Sequence, residues 1–523
     1  MNRRPWWQGY GALVLILGFG LLLRLNRLGA QGLWIDEGYS VALARLAVPQ
    51  IVAGTAADQH PPLYYLLLHG WMGLAGRSEF SVRLLSVAFG VLTIALLYTV
   101  GRQMISHWVG LLAALLLAVS PMHIRYSQET RMYALLAGLC LLSVYALWRL
   151  LERPSLGRAA AYALVTAAAL YTHNFAIFIV LFESMWVIGR TIAPHLRRPG
   201  PAGAPAGDDR AARENTPGTT SGERPAGGAR LLVGWLLCLA VVGLLWAAWL
   251  PTVWMQTRDH RVSWIGRPDL AAMRSTLLNL STGAVTGRPG SPPEILSWVW
   301  LAVALVALVV AWKRGREQRP ALALLALWFV VPAAAIVALS FRYPLYQDKQ
   351  FLVLVPALIL LLAAGLMALR PGWRLLAVAG LLALHAYPLY DLYFRAPRQQ
   401  WREAAAYLDA TGRPGDVIVL NAAAGKIMLD YYSEQSWPAL GIPQEYDILV
   451  GGFVGQTTTP DGVDARLRPL LDSYRRVWLL EFTPEFWDPG RLLVAWLDGQ
   501  AGRQAVPAFA DLELRLYELG GPR

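Results

Sequence analysis

Apolar runs of about 17–25 residues recur along this chain, each long enough to cross the ~30 Å hydrocarbon core of a bilayer as a helix. A backbone in lipid must satisfy its hydrogen bonds within itself. The recurrence therefore predicts a polytopic α-helical membrane protein. About 11 transmembrane helices are expected, near 10–27, 82–101, 108–124, 132–149, 158–174, 175–192, 231–250, 294–312, 321–341, 350–369 and 374–391. Of the 523 residues 56% are hydrophobic and only 15% charged, against about 25% charged in soluble domains. Met1-Asn2-Arg3-Arg4 could open a signal peptide, but no small-residue cleavage pattern follows, and Arg24 and Arg27 sit where it should lie. The first run reads as an uncleaved helix.

A net charge of +12 raises the question of nucleic acid. The basic residues cluster in short loops between spans, however, among them Arg149/Arg153/Arg158, Lys313-Arg314-Gly315-Arg316 and Arg370/Arg374. That is the positive-inside pattern, so the charge encodes orientation. It puts the N-terminus in the cytoplasm of a multi-pass protein of the cell (inner) membrane, with the first loop, 28–81, and the chain beyond 392 outside. Cys140 and Cys238 fall inside apolar spans, reading as small hydrophobes with no disulfide framework and no zinc spacing.

Residues 193–230, rich in Pro, Gly, Ala and Arg, are expected to be a disordered inner loop. Beyond the last span the pattern changes. A helix at 401–409, strands at 417–420, 476–481 and 512–517, and a helix near 491–497 predict a small extracytoplasmic α/β domain, 392–523, after a transmembrane module, 1–391. This domain carries 13 basic and 17 acidic residues and no glycine fingerprint for a nucleotide, which points to an accessory or acceptor-binding role.

Trp34-Ile35-Asp36-Glu37-Gly38 puts two adjacent carboxylates just past the first span, where acids are expensive and tend to mark function. The plain alternative is an interfacial pair neutralised by Arg24 or Arg27. On an extended chain the two would point opposite ways, so they should play different roles: one a general base, the other orienting it or binding the acceptor. The first outer loop is unusually apolar, and helices lying along the membrane surface are expected near 41–53 and 62–74. Arg83, Arg125, Arg131, Arg342 and Lys349 sit at span ends on the same face as Asp36. Each alone reads as a snorkelling cation; together they suit a phosphate carried on a lipid. Gln128 lies about one helical turn before Arg131. His60 and His173 also face outward, but they are far apart in sequence and no metal site is inferred.

These residues resemble a known family. Asp36-Glu37, His60-Pro61-Pro62-Leu63-Tyr64-Tyr65, the stretch from Glu79 to Arg83, and Ser120-Pro121 leading into Gln128-Glu129-Thr130-Arg131-Met132-Tyr133 look like membrane glycosyltransferases of the GT-C superfamily. The likeness is to the protein O-mannosyltransferase-like group (family 39) and the related lipid A aminoarabinose transferases. It covers about residues 8–185, with weaker echoes at 349–366 and 401–417. Lys349-Gln350-Phe351 stands where the pattern usually has an Arg-Tyr-like pair.

The resemblance implies an inverting transfer, at the outer face, from a polyprenyl-phosphate-linked sugar to a protein, lipid or glycan acceptor. Asp36 would be the general base and Glu37 its companion, with Arg131 and Lys349 on the donor phosphate. Arg83, Arg125 and Arg342 are further phosphate candidates, and His60, Gln128, Glu129 and Tyr133 are substrate-binding candidates. No cofactor is demanded, though a divalent cation is compatible with the chemistry. That chemistry fits the residue types independently. A departing lipid phosphate needs cations more than a proton, and the attacking hydroxyl needs a base, typically contributing about 10²–10⁴-fold. A retaining route would need a second carboxylate as nucleophile. A transporter or lipid flippase is the main alternative, but it would want ionisable residues or Gly/Pro breaks near mid-span and an inverted repeat. A scaffold would leave the acids and cations without purpose.

Overall fold

The computed structural model describes residues 6–196, 226–258, 265–283, 292–343, 345–395, 398–450 and 458–519. The chain opens with α1 (Trp6–Leu25) and then lays three short helices in the first loop, α2 (Ile35–Ala44), α3 (Val48–Ala57) and α4 (Leu63–Ala75). Then come α5 (Glu79–Met104), α6 (His107–Ala118), α7 (Pro121–Ser127), α8 (Tyr133–Glu152), α9 (Leu156–Thr172) and α10 (Ile177–Leu196). The later helices are α11 (Ala226–Trp246), α12 (Leu250–Arg258), α13 (Leu270–Thr282), α14 (Pro292–Arg314), α15 (Arg319–Ser340), α16 (Val355–Met367) and α17 (Pro371–Phe394).

All eleven expected segments are helical. Among the described residues, however, eight helices are long and apolar enough to cross a membrane, or nine if α6 and α7 form one bent span. The rest fall short on length: the apolar part of α1 is Tyr10–Leu25, and α9 has 17 residues. The third expected span is bent by 63° between α6 and α7. There the Ser120 hydroxyl accepts from the His123 N–H and Pro121 takes the first turn, where its missing N–H costs nothing. The bend turns α7 and the segment after it back under the first loop. The segment Asp348–Met367 is the most enclosed, and Gly365 lets α16 touch the backbone of α14 at Ala307.

The first loop departs from expectation in two ways. The helix expected near 41–53 is two helices, α2 and α3, separated at residues 45–47, with Pro49 in the first turn of the second. The acidic pair is helical, in the first turn of α2. The inner loop expected at 193–230 lies outside the described residues, except for its ends, which prolong α10 and α11.

After α17 comes α18 (Trp401–Thr411), then a five-stranded sheet in the order β2-β1-β3-β5-β4. Strand β1 (Asp416–Asn421) runs parallel to β2 (Ala439–Ile442) and β3 (Arg476–Glu481); β5 (Glu513–Leu519) is antiparallel to β3 and to β4 (Ala501–Gln504). The two short strands β2 and β4, of four residues each, carry too little alternation to be read from sequence. Helix α19 (Gly425–Tyr432) docks this unit onto the first loop. Met428 lies against Gly38, where any side chain would collide with it. Tyr432 accepts from Leu33 N (2.6 Å) and donates to Glu79 (2.5 Å), and Glu79 also pairs with Arg402.

Candidate active site

Glu37 and Asp36, neighbours in the first turn of α2, have opposite environments. A helix turns by about 100° per residue, so one carboxylate enters the protein and the other leaves it. Glu37 is 0% exposed. It accepts from Arg83 Nε and Nη2 (2.8 and 2.7 Å), Thr130 N (2.9 Å), Arg398 Nη1 (2.9 Å) and its own helix start at Trp34 N (3.3 Å). Burial alone would raise its pKa, but Arg83, Arg398 and the Thr130 N–H outweigh it and hold the carboxyl down to about 2. Arg83 makes three further bonds, to the carbonyls of Leu28, Gln31 and Gly32, each at 2.8 Å. All five of its N–H groups are thus used. The expectation that Arg83 contacts a phosphate is therefore corrected: it clamps the first loop around Glu37.

Asp36, by contrast, leaves 31% of its side chain exposed. Its Oδ2 lies 3.7 Å from Arg131 Nη2 and 3.6 Å from Lys349 Nζ. Arg131 sits between α7 and α8, a segment pinned by the Thr130 N–H on Glu37 and by Ser86 Oγ donating to the Arg131 carbonyl (3.3 Å). Its Nη1 also reaches the Asp36 carbonyl (3.2 Å) and Ser40 Oγ (3.3 Å). Lys349 stands on a 3-10 turn, Asp348–Leu354, anchored where Asp348 accepts from Asn279 (3.2 Å) and Thr276 of α13.

The Tyr133 ring lies between the two cations, 5.9 Å from Arg131 Cζ and 5.5 Å from Lys349 Nζ. Aromatic contact continues through His173 (6.0 Å) to His60 (5.2 Å), whose Nδ1 lies 3.0 Å from Asp58. Burial lowers the His60 pKa despite Asp58, so at neutral pH the ring is neutral and donates to that carboxylate. The hydroxyls of Tyr39, Tyr65 and Tyr133 and the Nε of Arg131 are buried without a hydrogen-bond partner among the described residues. Unpaired polar groups are costly, so these four are candidates for pairing with a bound molecule.

The other candidates lie elsewhere. Gln128 donates to the carbonyls of Arg24 (2.9 Å) and Asn26 (2.8 Å), tying α7 to the end of α1. Glu129 is buried 3.6 Å from Arg125, and burial raises its pKa. Arg125 lines a separate cleft with Arg27, Arg83 and Arg398. Arg342 is exposed over the Tyr343 ring (5.1 Å). Arg24, weighed as a neutraliser of the acids, instead bonds the Gly20, Leu117 and Ala118 carbonyls and His123. Sequence reasoning missed Arg398, Asp58 and Tyr39, and quoted Tyr65 within a family motif without giving it a role. The only signal was Arg395 and Arg398 just past the last span, two cations on the face where positive charge is sparse. No group of three or more His, Cys, Asp or Glu side chains among the described residues could hold a metal ion.

Comparison with known proteins agrees with this architecture. Residues 59–204 match the family model for dolichyl-phosphate-mannose-protein mannosyltransferase. The chain is similar in structure to ArnT from Cupriavidus metallidurans in the apo state, at 14% identity and a TM-score of 0.60 over 98% of each chain. The same enzyme bound to undecaprenyl phosphate gives 13% identity and 0.57, covering 97% of this chain and 98% of that one. The oligosaccharyltransferase AglB from Archaeoglobus fulgidus, in complex with an inhibitory peptide and a dolichol-phosphate, gives 12% identity and 0.52, covering 97% and 75%. A search of curated proteins returns no match. The structural likeness, at 12–14% identity, shows a shared fold, and residues 59–204 are similar to the mannosyltransferase family: in both respects the chain resembles multi-span membrane glycosyltransferases.

Proposed function

We propose that this protein is an inverting glycosyltransferase that moves a sugar from a polyprenyl-phosphate donor to a hydroxyl or phosphate acceptor. The reaction runs at the outer face of the cell membrane, with the N-terminus cytoplasmic. Residues 1–391 form the catalytic module, and 392–523 stand outside and hold the first loop in place. One observation carries the reading: two cations, Arg131 and Lys349, converge on one oxygen of a partly exposed carboxylate, Asp36. The undecaprenyl phosphate in ArnT and the dolichol-phosphate in AglB support a lipid-phosphate donor.

Asp36 is the general base, and its cation partners at 3.6–3.7 Å are beyond hydrogen-bond length from its carboxylate; Arg131 is held beside it by Nη1 on the Asp36 carbonyl and Ser40 Oγ, leaving Nη2 for a further acceptor. An arriving donor phosphate, with more negative charge and more acceptor oxygens, draws Arg131 Nη2 and the Lys349 ammonium away from the Asp36 carboxylate. The carboxylate then takes the proton of the acceptor hydroxyl, whose oxygen attacks the anomeric carbon from the side opposite the phosphate. The bond from that carbon to the phosphate oxygen breaks, its electron pair leaves with the phosphate, and the two cations stabilise the growing charge. Glu37 is not a second base: it positions α2 through Arg83 and Arg398. Tyr133 and His60 line the substrate side.

The test is transfer of radiolabelled sugar from a polyprenyl-phosphate donor in membranes. Asp36→Asn is expected to lose about 10²–10⁴-fold in rate, the usual contribution of a general base, at unchanged protein level. Wild-type transfer by that variant would remove Asp36 from the mechanism.

A further inference from the structure

A cleft of about 70 Å³ lies across the Glu37–Arg83 pair from Asp36, lined by Arg27, Arg83, Arg125, Gln128, Tyr393 and Arg398 among others. That is several times the ~10–15 Å³ that admits one water, so a small polyatomic anion fits. Four arginines line it and, among the described residues, no acidic one does; Glu37 pairs with Arg83 and Arg398 from outside the cleft, and Glu129 lies beside Arg125.

The four are not equally engaged. Arg83 is saturated by its loop and Glu37. Arg398 spends Nη1 on Glu37 and makes one long bond to the Gln128 carbonyl (3.4 Å). Arg125 has an ion pair with Glu129 at 3.6 Å, beyond hydrogen-bond length, and Arg27 lies over the Phe394 ring at 5.0 Å. Among the described residues, neither Arg27 nor Arg125 meets a hydrogen-bond acceptor. Two forked donors thus face one polar cleft, the geometry that suits bidentate phosphate recognition. Arg27 also holds a left-handed backbone, φ +56°, which side-chain-bearing residues seldom adopt and which clusters at ligand clamps.

The position of the cleft selects among anions. Tyr393 near the end of α17 donates to the Leu23 carbonyl of α1 (2.5 Å), so two span ends form one wall. Beside it, Leu22 is 67% and Phe394 56% exposed, an apolar flank running along both helices. A phosphate carried on a hydrocarbon chain can lay that chain along this flank and put its head in the cleft.

We infer that this arginine cleft binds the phosphate head of a membrane lipid, as a second phosphate site distinct from the Asp36, Arg131 and Lys349 cluster. The head belongs either to the carrier lipid or to an anionic phospholipid. The inference stands on the cleft and not on the role of Asp36, so the two fail separately.

Retention of lipid by the full-length protein in phosphatidylcholine nanodiscs, read by native mass spectrometry, tests it with three probes: undecaprenyl phosphate, phosphatidylglycerol and inorganic phosphate. R27Q/R125Q is expected to weaken lipid-phosphate retention at least about tenfold, as two charge-assisted donors are lost. Substituting Lys at both positions should restore part of it. The loss should persist in an Arg131→Ala background, where the cation cluster at Asp36 is already impaired. Preference for undecaprenyl phosphate assigns the cleft to the carrier lipid, and equal retention of both lipids assigns it to anionic headgroups in general. Should the double variant unfold, Arg125→Gln alone, at a side chain 31% exposed, is still expected to lose retention. Unchanged retention of every probe in R27Q/R125Q, or retention of inorganic phosphate alone, overturns the proposal.

Discussion

Glu37→Gln would leave the buried Arg83 guanidinium and the partly buried one of Arg398, 19% exposed, sharing a neutral partner. Breaking a buried pair from one side costs about 3–5 kcal/mol, so a clear fall in the thermal unfolding midpoint is expected, with transfer lost through instability. The pH dependence follows from the depressed carboxyl. Its folded pKa, about 2, is below the ordinary 4.5. The stability it contributes is therefore full above pH 4.5 and is lost as pH falls from there toward 2. Unfolding midpoints across that window should slope for the wild type and be flatter for Glu37→Gln; matching slopes would show that the carboxyl is not the titrating group. Lys349→Ala has the opposite signature. On the proposed mechanism it removes a cation from the donor phosphate, worth about 1.5–3 kcal/mol as a charge-assisted contact, so donor use should fall about tenfold or more while the unfolding midpoint barely moves. Normal donor kinetics in that variant would discredit the phosphate assignment.

At the level of elements, the position of Asp36 depends on the contact between α2 and α19. Gly38 has no side chain because Met428 occupies that space. Gly38→Val should push α19 away, shift the first turn of α2 and lower transfer roughly tenfold, since misplacement by about 1 Å can cost 10²-fold. Adding Met428→Ala makes room and should recover much of the loss. If the double variant is no better than Gly38→Val alone, the contact is not what aligns the helix. The bend at Ser120-Pro121 has a related role: it ends α6 early and brings the segment carrying Thr130 and Arg131 beneath α2, so that one residue caps Glu37 while its neighbour reaches Asp36.

Across the whole molecule, the α/β unit acts as a brace for the first loop. Tyr432 and Arg402 converge on Glu79 at the head of α5, and Gln399 accepts from the Ile35 N–H (3.0 Å) at the start of α2. Combining Tyr432→Phe with Arg402→Ala removes several of these ties, at about 0.5–3 kcal/mol each. Faster hydrogen exchange is expected at residues 28–38 in that variant, with little change in α14–α16. Equal protection in the first loop would show that the brace is dispensable.

Legible from sequence alone were the membrane class, the places of the eleven helical segments, strand β3 and the approximate places of β1 and β5, because hydropathy over twenty residues and alternation over six are local properties of the chain. The same reading singled out Asp36, Arg131 and Lys349, since charges at span ends stand out against an apolar background. Which of Asp36 and Glu37 is the base, and what sets Arg131 apart from Arg83, came from the family resemblance. The residue pattern alone did not say, because each pair shares composition and position and differs only in which way a helix face turns. Nor could it find Arg398, Asp58 or Tyr39, which join the site from 361, 21 and 2 positions away from Glu37 in the chain. Burial and hydrogen-bond saturation are properties of distant segments packed together. Packing decided which acid is sealed, which arginine is saturated and which carboxylate still faces solvent.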